Sequence, residues 1–142
     1  MGYMATKQFS LRVDTDVFNE LDRQARETGE SRSALAERYI AEGVRMKEHP
    51  GIYFRETGSG DRLAALVGTR LDVFQVLATV RAEENSIEGA AEYFDLPESK
   101  IRDAVRYAAA HPAEVEEVAE RHAASAERAY AAWLAEQELL AR

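Results

Sequence analysis

The chain has 142 residues, 46% of them hydrophobic, and carries 18 Lys and Arg against 26 Asp and Glu for a net charge of −8 at pH 7. That length accommodates one domain or two small ones, and the apolar share is ordinary for a globular core. The net charge argues against a general nucleic-acid binder, and the lack of cysteine excludes disulfides, thiolate nucleophiles and Cys-built zinc sites while fitting a reducing cytosol.

Met1–Thr6 has no apolar core of the signal-peptide kind. Nowhere does a run of about 18 apolar residues occur that would span a membrane. The expectation is a cytoplasmic protein with no membrane partner.

The first patterned stretch is Lys7–Val13. Its alternation places Phe9, Leu11 and Val13 on one face of an extended strand and Gln8, Ser10 and Arg12 on the other. A strand this short, with no hairpin partner nearby, cannot stand alone in water. The same strand of a second copy is the expected partner. Such a two-stranded ribbon exposes Gln, Ser and Arg side chains, whose donors suit base edges in a major groove.

Asp14-Thr15-Asp16 are N-cap types, so a helix is expected from Asp16 to Thr28, burying Val17, Phe18, Leu21 and Ala25. Gly29 supplies the left-handed residue that ends it. Ser31 caps a second helix running to Glu48, with Ala34, Leu35, Tyr39, Ile40, Val44 and Met46 as its apolar stripe and Pro50 as its stop. The free N–H groups at its start, with Ser31, Arg32 and Ser33 beside them, suit a DNA phosphate.

Strand, helix, glycine turn and serine-capped helix over residues 7–49 closely resemble the ribbon-helix-helix family of the Arc, MetJ and CopG type. The resemblance covers about a third of the chain. It implies two chains pairing their strands into an antiparallel ribbon that lies in the major groove. By position, Gln8, Ser10 and Arg12 would then read bases. Ser31, Arg32 and Ser33 would hold phosphates. Phe9, Leu11, Val13, Leu21, Leu35, Tyr39 and Ile40 would form the shared dimer core. Glu30 departs from the family, which often has an apolar or basic residue there, and an acid so close should weaken phosphate binding slightly. A dimerisation module that uses the same ribbon without DNA is the alternative.

Pro50–Glu56 reads as a short strand, Thr57–Asp61 as a turn and Arg62–Val67 as a return strand. Gly58-Ser59-Gly60 lacks the Lys and the helix that a phosphate loop needs. Helices are expected at Leu71–Ala82, from the Ser86 cap to Phe94, and at Glu98–Ala110, with Asp95-Leu96-Pro97 as a tight turn. The last two give a helix-turn-helix outline. Its second helix carries Ser99, Lys100, Arg102 and Arg106, opposed by the acids Glu92, Asp95, Glu98 and Asp103. A three-helix unit that packs or binds protein is an equal reading.

Gly68-Thr69-Arg70 and the apolar helix after it, within about residues 50–117, are similar to the uncharacterised helix-turn-helix-like domain of VapB-type antitoxins. That resemblance implies a neighbouring PIN-like ribonuclease toxin as partner. The domain usually stands at the front of the chain, whereas here it follows another module.

Ala113–Arg142 reads as one long helix, with Pro112 and acids at its start. Val115, Val118, His122, Ala126, Tyr130, Trp133 and Leu140 recur at helical spacing. Tyr130, Trp133, Leu134 and Leu140 form an apolar end that either packs on its own domain or enters a partner's groove. Residues 1–49 hold 8 basic against 9 acidic groups, and residues 50–142 hold 10 against 17. The excess negative charge therefore sits behind the front module.

His49, His111 and His122 lack metal-ligand spacing, and no nucleophile motif or dinucleotide loop occurs. No enzyme, cofactor or metal is expected. The fold expected is mainly α: a ribbon-helix-helix module over 1–49, a hairpin with a three-helix helix-turn-helix-like domain over 50–112, and a C-terminal helix over 113–142. The function expected is a homodimeric DNA-binding regulator, or a higher oligomer on DNA. It would be the antitoxin of a type II toxin–antitoxin pair that represses its own operon and neutralises a PIN-like nuclease. The alternative is a stand-alone ribbon-helix-helix transcription factor whose C-terminal domain mediates oligomerisation or ligand sensing.

Overall fold

The computed structural model describes residues 5–142, so the Met1–Met4 part of the segment read above for a signal peptide lies outside it. The described residues form six helices and one two-stranded antiparallel sheet, a mainly α fold. The chain divides into two compact units between Gly43 and Val44, slightly ahead of the boundary expected after His49.

In the first unit, residues 5–14 form no regular element and are all exposed. Both faces of the expected strand are open, because an extended segment without a ladder partner leaves its backbone to water. Helix α1 (Thr15–Thr28) follows, with the Phe18 amide donating to the Asp14 carbonyl at 3.0 Å. Gly29 ends it at φ 75°, its N–H bonded to the Ala25 carbonyl at 2.9 Å. Helix α2 (Arg32–Glu48) starts where the Ser31 hydroxyl accepts from the Ala34 amide at 3.1 Å, the cap that its sequence specifies.

The interior of this unit is sparse. Among the described residues only Ala25, Leu35 and Glu42 are buried, and Leu21 is half-buried. Val17 and Phe18 do not form the buried stripe expected of the first helix. They are exposed, as are Tyr39 and Ile40 on α2. Helical spacing was right about which residues share a face. Among the described residues that face is covered only in part: Ala25 is buried and Leu21 half-buried, while Val17, Phe18, Tyr39 and Ile40 stay exposed.

The second unit has a fuller core. Strands β1 (Ile52–Glu56) and β2 (Arg62–Leu66) form a hairpin with Ile52 opposite Leu66 and Phe54 opposite Ala64. Helices α3 (Val73–Ala82), α4 (Ile87–Phe94) and α5 (Glu98–Ala110) pack against it. Ile52, Leu66, Val73, Val76, Ile101 and Tyr107 fill the centre. Helix α3 begins two residues later than its apolar run suggests. Leu71 is held by sheet-like bonding: its carbonyl accepts from the Leu66 amide at 2.9 Å, and Asp72 bridges to Ala65.

The Ser86 hydroxyl caps α4 by accepting from the Gly89 amide at 2.8 Å. Glu83–Asn85 is a loop, with Glu84 and Asn85 at φ 57° and 63°. Asp95 turns the chain at φ 55° between α4 and α5. Gly51 is demanded by close approach, since a Cβ there would collide with the Asp103 carboxylate. Helix α6 (Pro112–Leu140) buries Val115 and sets the His122 ring 4.6 Å from that of Phe74. From Ser125 to its end every residue is exposed.

Candidate functional site

Gln8, Ser10 and Arg12 all lie on the open arm and are exposed. Phe9, Leu11 and Val13, on the other side of the alternation, are exposed too. All six side chains of the alternation are thus uncovered.

Ser31, Arg32 and Ser33 are gathered at the start of α2 and are exposed. Local charge there is partly balanced from within. The Arg32 guanidinium lies 3.5 Å from the Asp22 carboxylate and 4.7 Å above the Phe18 ring. Asp22 also pairs with Arg26 at 2.5 Å. Glu30, the acid beside the expected phosphate site, is engaged by Arg38 at 2.6 and 2.8 Å. Hydrogen bonding from Arg38 holds the Glu30 carboxyl below its usual range. Its negative charge is therefore tied to a cation, which moderates the repulsion that Glu30 would offer a phosphate. Arg38 sits eight residues from Glu30 along the chain, beyond any local pairing rule, so no sequence signal marks the pair.

In the second unit the helix-turn-helix outline is present, but α5 turns Ile101, Ala104, Tyr107 and Ala108 inward. Its basic residues are partly committed. Lys100 donates to the Val67 carbonyl at 2.6 Å, closing the helix onto the end of the hairpin. Arg102 lies 3.4 Å from Glu98, while Ser99 and Arg106 are exposed. The acids Glu92, Asp95 and Glu98 share the exposed surface. In Gly68-Thr69-Arg70, Gly68 sits at φ 81°. The Thr69 hydroxyl donates to the Leu66 carbonyl at 2.8 Å and accepts from the Leu71 amide at 3.0 Å. The Tyr53 hydroxyl donates to the Thr69 carbonyl at 3.0 Å. This motif is a turn lock between β2 and α3.

Two polar links in this unit were invisible in the sequence. The Arg55 guanidinium grips both oxygens of Asp72, at 2.5 and 2.7 Å, and Asp72 is 1% exposed. The Tyr107 hydroxyl donates to Glu114 at 2.5 Å, while Arg45 donates to Tyr107 at 3.2 Å and to Glu114 at 2.6 Å. Burial, and then donation to Glu114, push the Tyr107 hydroxyl well above its usual range. The rings of His49 and His111 flank Tyr107 at 5.2 and 4.7 Å. Burial and the positive charge of Arg45 lower the pKa of His111, whose buried Nε2 has no hydrogen-bond partner among the described residues. Arg55–Asp72 and Arg45–Glu114 join residues 17 and 69 positions apart, beyond any spacing rule, while Tyr107 and Glu114, seven positions apart, lie on either side of the break between α5 and α6. Among the described residues no group of His, Asp and Glu is placed to hold a metal, and no helix is long and apolar enough to cross a membrane.

At the far end of α6, Tyr130 and Trp133 stack with ring centroids 6.1 Å apart. Tyr130, Trp133, Leu134 and Leu140 are all exposed. Of the two roles expected for this apolar end, packing on its own domain is not seen in the single chain. Compared with known proteins, the chain matches no family model, no curated protein and no solved structure.

Proposed function

We propose that the protein is a homodimeric DNA-binding transcriptional regulator of the ribbon-helix-helix kind, and the antitoxin of a type II toxin–antitoxin pair. The observation that carries the dimer is the bare apolar face of the first unit. Its arm and both helices expose Phe9, Leu11, Val13, Phe18, Tyr39 and Ile40, and a unit with so little interior is not a stable lone fold. A second copy supplies the same residues, so a two-fold interface covers both faces at once.

Pairing of the arms leaves Gln8, Ser10 and Arg12 on the outer side of the ribbon, aimed at base edges. Ser31, Arg32 and Ser33 then position the dimer on the flanking phosphates. The acidic second unit, with its excess of negative charge, is the end that holds and neutralises a toxin, a PIN-like nuclease. The operon would thereby be repressed by its own product.

The test of the DNA end is Arg12→Ala, assayed on DNA from upstream of its own coding region across a range of salt. Loss of a base-reading contact should weaken specific binding by about 1–3 kcal/mol, roughly five- to 150-fold. Unchanged sequence-specific affinity would sink the assignment. A monomeric mass at micromolar concentration would refute the dimer. The toxin end is tested by co-purification with the product of the neighbouring reading frame.

A further inference from the structure

The end of α6 has a feature that a generic apolar helix lacks. Ala123, Ala126, Tyr130, Trp133, Gln137 and Leu140 follow one another at alternating steps of three and four, and all six are exposed. This is the spacing of a coiled-coil seam, in which apolar residues recur every 3.5 positions on average. From Ser125 onward the helix has no buried residue, and a bare helix of that length is marginal in water. A partner helix is what the seam lacks.

We propose that this partner is the α6 helix of a second copy, packed parallel and in register as a short two-stranded coiled coil. The inference rests on the homodimer proposed above, which keeps two α6 helices in one particle and raises their effective concentration.

Two observations favour a second copy over a foreign groove. Gln137 interrupts the seam, and a lone polar residue at such a position is satisfied by its own counterpart across an in-register pair. Antiparallel pairing centred between Tyr130 and Trp133 would instead set it against Ala126. The seam's flanks also permit self-pairing. A parallel pair brings His122 beside Glu127, Ala129 beside Leu134, and Glu136 beside Ala141, and no two like charges meet.

The absence of cysteine from the chain makes the test direct. Single cysteines are introduced into the full-length protein as Ala126→Cys, Gln137→Cys and, on the opposite side of the helix, Ala132→Cys. Seam positions of a parallel pair come within disulfide range, a Cα separation of roughly 4.4–6.8 Å. Under mild oxidation at micromolar concentration, the Ala126→Cys and Gln137→Cys proteins should each form a covalent dimer at least tenfold faster than Ala132→Cys. Adding Trp133→Glu should abolish that difference. A protein of dimeric mass in which the seam cysteines link no faster than Ala132→Cys overturns the α6 pairing and leaves the first-unit dimer standing. Linking seen only when the Ala126→Cys and Gln137→Cys proteins are mixed overturns the parallel register. A monomeric mass overturns both readings.

Discussion

Leu11→Ala probes the association of the first unit without touching its helices. The substitution removes three carbons, about 2.4 kcal/mol of transfer free energy at roughly 0.8 kcal/mol per CH₂. Leu11 is 66% exposed in the single chain, so about two thirds of that, roughly 1.6 kcal/mol, is gained only on association. A two-fold dimer contains the side chain twice, which brings the expected loss to about 3 kcal/mol, or roughly two hundredfold in the dimer dissociation constant. Sedimentation equilibrium of wild type and variant over a wide concentration range measures it. The second unit should be unaffected, and its thermal transition serves as the control. A change in the dissociation constant of less than about threefold would refute the claim that the arm's apolar row is an interface.

Two further outcomes follow from the polar links of the second unit. Arg55→Ala strands the Asp72 carboxylate, which is 1% exposed, and should cost that unit about 3 kcal/mol, or roughly 10–20 °C in its melting temperature. Calorimetry measures the loss, and a shift of only a degree or two would show that water replaces the guanidinium without penalty. The lowered pKa of His111 means that the folded unit binds fewer protons there than the unfolded chain. The associated stability is present above the unfolded value of 6.5 and is lost as pH falls toward and through the lower folded value. The melting temperature of the wild type should therefore drop more steeply than that of His111→Gln between about pH 7 and 5, and parallel curves for the two would contradict it.

What the sequence disclosed is what is local. Ser31, Ser86, Gly29 and the Asp95 turn act on backbone groups within a few positions of themselves, so their roles could be read directly and the helices begin or end beside them. The start of α3 was misread because Leu71 and Asp72 are drawn into sheet-like bonds with Ala65 and Leu66, a tertiary effect that outweighs the apolar pattern. Arg55–Asp72, Arg45–Tyr107 and Arg45–Glu114 span 17, 62 and 69 positions, and nothing in a window of helix or strand length encodes them. For the candidate site, alternation in the arm predicted two faces of a strand, and the arm forms no regular element. A ladder is a property of two segments, so the arm of one chain shows no strand.

The sparse interior of the first unit also bears on how the protein responds to its own abundance. With Ala25 and Leu35 as the only buried apolar residues described there, folding of this unit and meeting a second copy become one event. Its stability then rises with protein concentration, as for any obligate dimer. The hairpin and helices α3 to α5 of the second unit share a core of their own and carry no such dependence. On dilution the chain would therefore lose its front unit while keeping the core of the second folded. A regulator of the proposed kind would in this way measure its own supply, releasing DNA when its concentration falls through the folding threshold of its front forty residues.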